Sequence, residues 1–200
     1  MLYKPKSNSW NRRRFLVSCL LSTPIILNTS TQLHSQQAVD INEDGQPNHN
    51  IFTYRAIDWE EHFSNRLNGI IIADTKARCL HFWNEQGDFY KVYPTSVPLT
   101  PDLTRVGKTV VVKKIIGPSW RPTEAMLKRD PKLPEYVGPG PDNPLGTHAL
   151  YLSWPSYRIH GTNDTRKIGR QSSSGCIGLY NEQIKELFDL AKIGTQVKLI

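Results

Sequence analysis

The segment 158–181 reads RIHGTNDTRKIGRQSSSGCIGLYN. An apolar run ends at His160, and Cys176 follows sixteen positions later, after three serines and a glycine. A thiol nucleophile needs a base that makes the thiolate and donors that hold an oxyanion. The segment therefore indicates His160 as a candidate base, Cys176 as a candidate nucleophile, and the backbone N–H groups of Gly175 and Cys176 as oxyanion donors. A small buried structural cysteine is the alternative that the spacing leaves open.

A wider motif in this segment resembles a known family. His160-Gly161-Thr162 followed by Ser-x-Gly-Cys-Ile-x-Leu resembles the signature of the L,D-transpeptidase catalytic domain (YkuD type, ErfK/YbiS-like branch). Pro-Asp-Asn-Pro-Leu-Gly at 141–146 also resembles that branch, and the likeness runs from about residue 69 to residue 200. The resemblance implies a mainly β domain with one C-terminal helix (α+β), in which a YkuD-like mixed β-sandwich holds its site in a cleft between strands.

Two positions depart from the family pattern. Ser174 stands two positions before the cysteine, where the family usually has His, and this change leaves His160 in place as the base. Gly178 stands two positions after the cysteine, where the family usually has Arg. A cation that can hold an anionic substrate group or brace the loop is thereby lost, so we expect substrate choice and catalytic rate to be affected.

The resemblance implies a peptidoglycan L,D-transpeptidase. Cys176 would attack the third residue of a stem tetrapeptide, release D-Ala, and pass the thioester acyl group to an amine, giving a 3-3 cross-link or an attached protein. The carbonyl of Gly161 or Thr162 would orient the base. With water as acceptor the enzyme is an L,D-carboxypeptidase or cysteine amidase on cell-wall peptides, and a catalytically weak wall-binding module is the third alternative. No metal or organic cofactor is implied.

Four residues are candidates to contact the substrate. The segment 119–146 is rich in proline and lacks a clear period, and a loop of this length is usually functional or disordered. We interpret it as a lid or wall of the cleft, with Trp120 and Tyr136 on the substrate or, alternatively, packed on the core. Arg170 is a candidate for an anionic substrate group, with a solvated surface role as the alternative, and Ser174 lies beside the nucleophile.

The first 35 residues predict export. Three arginines at 12–14 precede an apolar run at 15–27, which suits a signal peptide, and the paired arginines resemble the twin-arginine pattern. An ordinary secretory signal or an uncleaved anchor is the alternative, so membrane contact is expected only through an uncleaved signal. We predict a periplasmic or cell-envelope location, a flexible linker at 36–50, an N-terminal arm at 51–68 and the catalytic domain at 69–200.

Composition excludes several other classes of function. The net charge is +7, but residues 1–35 hold five basic and no acidic residues, so the remaining 20 basic and 18 acidic residues leave +2. This balance gives no support for nucleic-acid binding. His-x-x-x-His and Cys-x-x-Cys spacings are absent from the sequence, so no metal site is predicted. We expect no disulfide between Cys79 and Cys176, because a core of this size needs no staple.

Periodicity predicts a strand-rich domain. Cys79 and His81 fall on one face of a strand expected to be half-buried, where they can form a small polar site or simply pack. His148 is a rival base on a neighbouring strand. Asn181 is the expected N-cap of the helix. The predicted strands are 69–73, 78–83, 89–94, 109–116, 147–153, 157–160 and 195–200, and the predicted helix follows Asn181.

Overall fold

The strands and helices follow the predicted order closely. A computed structural model describes residues 55–200. The signal peptide predicted for 1–35, the linker predicted for 36–50 and the first four residues of the arm lie outside the described residues. The strands are β1 Ile70–Asp74, β2 Cys79–Trp83, β3 Tyr90–Pro94, β4 Val97–Pro98, β5 Gly107–Ile116, β6 His148–Leu152, β7 Arg158–His160, β8 Gln171–Ser173, β9 Ile177–Gly178 and β10 Gln196–Leu199, and the α-helices are α1 Glu124–Arg129 and α2 Asn181–Leu190.

Eight of these strands form one mixed sheet. Its order is β3-β2-β1-β10-β5-β6-β7-β9, and β4 pairs with β8 in a separate two-stranded sheet. The pairs β1/β10, β7/β9 and β4/β8 are parallel, while the other neighbours are antiparallel. The strand β10 is the last in chain order, yet it lies in the interior of the sheet between β1 and β5.

One hydrophobic core joins both ends of the sheet to α2. Leu80 of β2 and Ile159 of β7 belong to the same buried cluster, together with Ile184 and Leu187 of α2. Because residues from distant strands share this core, the sheet curls around it, and α2 covers the open side. The prediction of a mainly β domain is therefore confirmed, with α1 as a second, short helix.

Two local expectations were wrong. Strand β2 is buried along its whole length, because Cys79 Sγ and His81 Nε2 lie 3.3 Å apart and His81 Nδ1 lies 2.8 Å from the Tyr90 hydroxyl. These polar groups satisfy one another, so neither face needs water. Asn181 is not the N-cap: Tyr180 takes that position, and the Asn181 side chain makes no cap bond because it binds other backbone groups.

The helices of residues 55–200 are short. The longest, α2, has ten residues, so none of the described helices reaches the length that a bilayer crossing requires.

Candidate active site

A cavity of about 300 Å³ lies where β7 and β9 run side by side. His160 of β7 and Cys176, the residue before β9, both line it. A larger cavity of about 710 Å³ lies near the C-terminus, but neither a cysteine nor a histidine is among its lining residues. The smaller cavity is therefore the candidate active site.

The imidazole of His160 is held in one tautomer. Its Nδ1 lies 2.5 Å from the carbonyl oxygen of Gly161, which can only accept, so Nδ1 carries the proton and Nε2 carries the lone pair. The ring is 9% exposed, and burial lowers the pKa of His160 from 6.5 to about 4, partly opposed by the Gly161 hydrogen bond. At neutral pH the imidazole is therefore uncharged and able to accept a proton.

Asn181 fixes the loop that follows the base. Its Oδ1 accepts from the N–H groups of Thr147 and Thr162 at 3.2 Å each, and its Nδ2 donates to the Thr162 carbonyl at 2.9 Å. A Cβ at Gly161 would overlap Asn181 Oδ1, so the close approach requires glycine there. Asn181 is thus a positioning residue. The N-cap role predicted for Asn181 was wrong, although asparagine at a helix start is typical of an N-cap.

A serine-rich turn presents Cys176, the candidate nucleophile. Gly175 has a φ of +130°, a conformation that favours glycine. The hydroxyl of Ser173 donates to the Cys176 carbonyl at 2.6 Å and accepts from the Gly175 N–H at 3.3 Å. Ser173 therefore ties the two ends of the turn together, a role that its place in a run of serines did not reveal.

The thiol of Cys176 is directed to a backbone carbonyl. Its Sγ lies 3.4 Å from the oxygen of Ser156, and within residues 55–200 no hydrogen bond joins it to His160. Burial raises the pKa of the Cys176 thiol, while the charge of Arg158 acts in the opposite direction. At neutral pH and without substrate, the cavity therefore holds a neutral thiol and a neutral imidazole.

Of the two predicted oxyanion donors, Gly175 and Cys176, only Cys176 has an N–H without an acceptor in the described residues. The Gly175 N–H is bonded to the Ser173 hydroxyl, whereas no acceptor in the described part of the chain takes the N–H of Cys176. The Cys176 N–H is therefore free to meet a substrate oxygen.

The segment 119–146 forms one wall of the cavity, through residues that include Trp120. Asn143 anchors the base of this wall, because its buried Nδ2 donates to the carbonyls of Pro118 at 2.7 Å and Gly138 at 2.8 Å. Arg129, the last residue of α1, donates to the Ser174 hydroxyl at 2.9 Å. The residue that replaces the family histidine thus contacts the wall.

The structure brings some of the predicted substrate contacts together and leaves others apart. Trp120, Ser174 and Gly175 line the cavity with the cysteine and the histidine. Tyr136 lies outside the lining, 49% exposed, with the guanidinium of Arg121 4.7 Å from its ring centroid. Arg170 is also outside it and exposed. Substrate contact by Tyr136 or Arg170 stays a prediction.

The rival base and the disulfide can also be placed. The ring of His148 packs edge-on against Phe188 and its Nδ1 lies 2.9 Å from the Thr147 hydroxyl, so it does not line the cavity. Cys79 and Cys176 are both free cysteines in the structure. Within residues 55–200, no group of three or more His, Cys, Asp and Glu side chains is arranged to hold a metal ion.

A cysteine thiol and a neutral imidazole in one cavity of a mainly β domain define a candidate cysteine acyltransferase or hydrolase. The model of the YkuD family, the L,D-transpeptidase catalytic domain, matches residues 68–199. The chain belongs to this family, and the resemblance noted in the sequence is confirmed.

Relatives carry the same family name. The chain is 51% identical over 163 residues to the putative L,D-transpeptidase in ATP synthase subunits region ORF 5 of Fuscovulum blasticum, a match that covers 80% of this chain and 86% of that protein. It is 37% identical over 137 residues to the probable L,D-transpeptidase ErfK/SrfK of Escherichia coli K12, covering 66% of this chain and 44% of the relative. The chain thus spans less than half of the length of that relative.

Solved structures share the fold. L,D-transpeptidase 3 of Mycobacterium tuberculosis aligns with a TM-score of 0.55 at 16% identity, over 66% of this chain and 61% of that one. An L,D-transpeptidase of Mycobacterium smegmatis aligns with a TM-score of 0.53 at 19% identity, over 66% and 58%. At these identities the likeness establishes the fold.

Proposed function

We propose that the protein is an exported peptidoglycan L,D-transpeptidase that acts through a thioester on Cys176. The observation that carries the proposal is the common cavity of Cys176 and His160, in which the Gly161 carbonyl leaves Nε2 of the imidazole free to accept a proton. Membership of the L,D-transpeptidase family supports the same reaction.

In the first half-reaction the thiol leaves the Ser156 carbonyl and gives its proton to Nε2 of His160. The thiolate attacks the carbonyl carbon of the third residue of a stem tetrapeptide, and a C–S bond forms. The free N–H of Cys176 holds the oxyanion, and the N–H of Gly175 joins it by exchanging the Ser173 hydroxyl for the substrate oxygen. The C–N bond to D-Ala then breaks, and the imidazolium of His160 returns the proton to the leaving amine.

In the second half-reaction an acceptor amine attacks the thioester. His160 takes a proton from that amine, the C–S bond breaks, and the thiol is restored. The amine of a second stem peptide gives a 3-3 cross-link, and the amine of a protein gives covalent attachment to the wall. The two half-reactions need only the residues of this chain, the donor peptide and the acceptor amine. Nucleic acid is not a partner in this proposal.

The domain arrangement and location belong to the same proposal. Residues 1–35 act as the export signal, 36–50 as linker and 51–68 as an arm before the catalytic domain at 69–200. The peptidoglycan substrate lies in the periplasm or cell envelope, so an active enzyme has to reach that compartment.

Mass spectrometry of muropeptides tests this function. The full-length protein is incubated with tetrapeptide-rich peptidoglycan beside a Cys176→Ala variant. We expect dimers linked between third residues, formed only with the intact cysteine. Tripeptides without dimers, even with an added amine acceptor, would identify the L,D-carboxypeptidase alternative instead.

The wall-binding alternative needs a separate measurement. A carbapenem forms a covalent adduct only on a competent nucleophile, so we expect a mass increase on the Cys176 peptide. If peptidoglycan is bound but neither an adduct nor a new muropeptide appears, the protein is a binding module and the enzymatic proposal fails.

A further inference from the structure

Arg158 directs its side chain to the same cavity as the candidate base. It lies two residues before His160 on β7, so the two side chains lie on one face of the strand, while Ile159 between them is fully buried in the core. Arg158 lines the cavity that holds Cys176 and His160. A guanidinium is therefore built into the site by the strand that supplies the base.

The guanidinium and the thiol meet at one acceptor. Nη1 of Arg158 donates to the Ser156 carbonyl at 3.3 Å, and Sγ of Cys176 lies 3.4 Å from the same oxygen. Ser156 has a φ of +65°, an uncommon value for a residue other than glycine. Strained backbone of this kind often marks a functional site, and here it aims one carbonyl at both groups.

The rest of the guanidinium is held in place and has spare hydrogen-bonding capacity. Its central carbon lies 4.8 Å from the ring centroid of Tyr151, a cation–π contact that orients the plane. Its Nε is buried and has no hydrogen-bond partner in the structure of residues 55–200. A buried donor without a partner is costly, so a ligand or charge that pairs with Arg158 is favoured.

No carboxylate in the described lining of the cavity neutralises this cation. The titratable or charged side chains that line the cavity with Cys176 are His160, Tyr157, Arg158, Arg121 and Lys167, and Asp and Glu are absent from its described lining. Arg158 also takes part in none of the ion pairs found within residues 55–200. An opposite charge within a few ångströms favours an ionised thiol, and Arg158 acts in this direction on the pKa of Cys176.

The usual arginine is replaced by glycine at position 178. Gly178 of β9 pairs in register with His160, and the hydroxyl of Ser96 occupies the space next to its Cα. The backbones of Ser96 and Gly178 are joined by two hydrogen bonds of 2.8 and 3.1 Å. Gly178 supplies no charge, whereas β7, the neighbour of β9 in the sheet, carries Arg158.

We propose that Arg158 is the positive group that stabilises the thiolate of Cys176. The inference rests on the proposed role of Cys176 as nucleophile. When the thiol gives its proton to His160, the sulfur becomes negative, and Arg158 is the charged side chain that already shares an acceptor with it.

The pH dependence of thiol alkylation tests this role in the full-length protein. Iodoacetamide reacts with the thiolate, and peptide mass spectrometry separates Cys176 from the buried Cys79. We expect Arg158→Gln to raise the apparent pKa of Cys176 by about one unit and to slow alkylation at neutral pH about tenfold. Arg158→Met, which keeps the apolar stem, should show the same shift, and Arg158→Lys should recover part of the rate.

Arg166→Gln is the matched control, because that exposed arginine is already paired with Asp164. Its alkylation profile should equal that of the wild type. Melting temperatures of all variants identify any that fail to fold. If folded Arg158→Gln or Arg158→Met protein gives the wild-type profile, or if Arg166→Gln gives the same shift, Arg158 is not the stabilising group.

Muropeptide formation by the same preparations keeps the two proposals separate. A wild-type protein without cross-linking activity, but with the Arg158-dependent shift in alkylation, would overturn the proposed function and leave this inference standing. Wild-type cross-linking with a profile that is insensitive to Arg158 would do the reverse.

Discussion

At the scale of single residues, the hydroxyl of Ser173 and the carbonyl of Ser156 position Cys176, the candidate nucleophile. The Ser173 hydroxyl closes the turn around Gly175 and Cys176, and the Ser156 carbonyl holds the thiol in its neutral form. Neither residue takes part in bond making in the proposed mechanism. Both act through position, and catalysis is sensitive to displacements of about 1 Å.

Removal of the Ser173 hydroxyl should therefore slow the reaction more than it weakens binding. We expect Ser173→Ala to lower kcat for muropeptide formation roughly 10- to 100-fold with a smaller change in KM. Ser172→Ala is the matched control, because the Ser172 hydroxyl bonds to the Lys167 carbonyl, outside the turn. Equal losses in the two variants would contradict a specific role for Ser173.

The pKa of His160 should set the lowest pH at which the proposed reaction runs at full rate. Because burial lowers the pKa of His160 to about 4, its base form persists well below the usual histidine range. We expect the rate of Cys176 acylation by a carbapenem to stay level from about pH 7 to pH 5 and to fall below about pH 4. A fall centred near 6.5, with the protein still folded by circular dichroism, would show that the imidazole is not desolvated in solution.

The sequence predicts the candidate reacting pair more readily than the residues that support it. His160 and Cys176 stand in a recognisable motif with fixed spacing. Arg158 and Ser173 do not, because the role of a guanidinium or hydroxyl depends on which carbonyl the fold brings to it. That partner is Ser156 for Arg158 and Cys176 for Ser173. No periodicity in the chain encodes such contacts.

At the scale of elements, the first residue of α2, Asn181, joins the helix to the loop that follows His160. Asn181 bonds to backbone groups of Thr147 and Thr162, so one side chain links the helix to the residue before β6 and to the loop after β7. The helix therefore does more than cover the core, since it fixes the carbonyl that selects the tautomer of His160.

Loss of the Asn181 amide should both destabilise the fold and reduce activity. We expect Asn181→Ala to lower the free energy of unfolding by about 2 kcal/mol, because backbone groups of Thr162 and Thr147 lose their partners. Asn163→Ala removes a single exposed hydrogen bond and should cost less than about 0.5 kcal/mol. Urea denaturation measures both, and a near-neutral Asn181→Ala would refute the coupling of helix and loop.

Long elements were easier to predict than short ones. The β-branched runs around Ile71 and Val111 gave β1 and β5, since such residues fit a pleated buried surface. Strands β4 and β9 have two residues each, too few to show any period. The full burial of β2 was missed for a different reason: alternation reports polarity, and His81 is polar yet satisfied inside the core.

At the scale of the whole molecule, buried histidines link stability to pH. Burial lowers the pKa values of His81 and His160 from 6.5 to about 4 in each case. Between these values the unfolded chain binds protons that the folded protein excludes. Stability is therefore complete above about pH 6.5 and declines as the pH falls towards 4.

For each of these two histidines, the free energy of unfolding should fall by on the order of 2–3 kcal/mol between pH 7 and pH 4. His81→Phe, which keeps a ring between Trp83 and Tyr90, should remove about half of the loss. Chemical denaturation across this pH range measures the slope for both proteins. An unchanged slope in His81→Phe would show that His81 does not exclude a proton in the fold.

The interior place of β10 governs when the domain can form. During synthesis β1 and β5 emerge long before β10, and they have no direct pairing with each other. Until β10 is inserted, no strand joins β1 to β5, and the two parts of the sheet meet elsewhere, through the pairing of β4 with β8 and the backbone bonds between Ser96 and Gly178. The cavity is lined mainly by residues after β5, together with Ser96, and the shared core includes Val197 and Leu199 of the last strand. A ribosome-bound chain that stops short of β10 should therefore remain sensitive to protease, and resistance should appear in a single step.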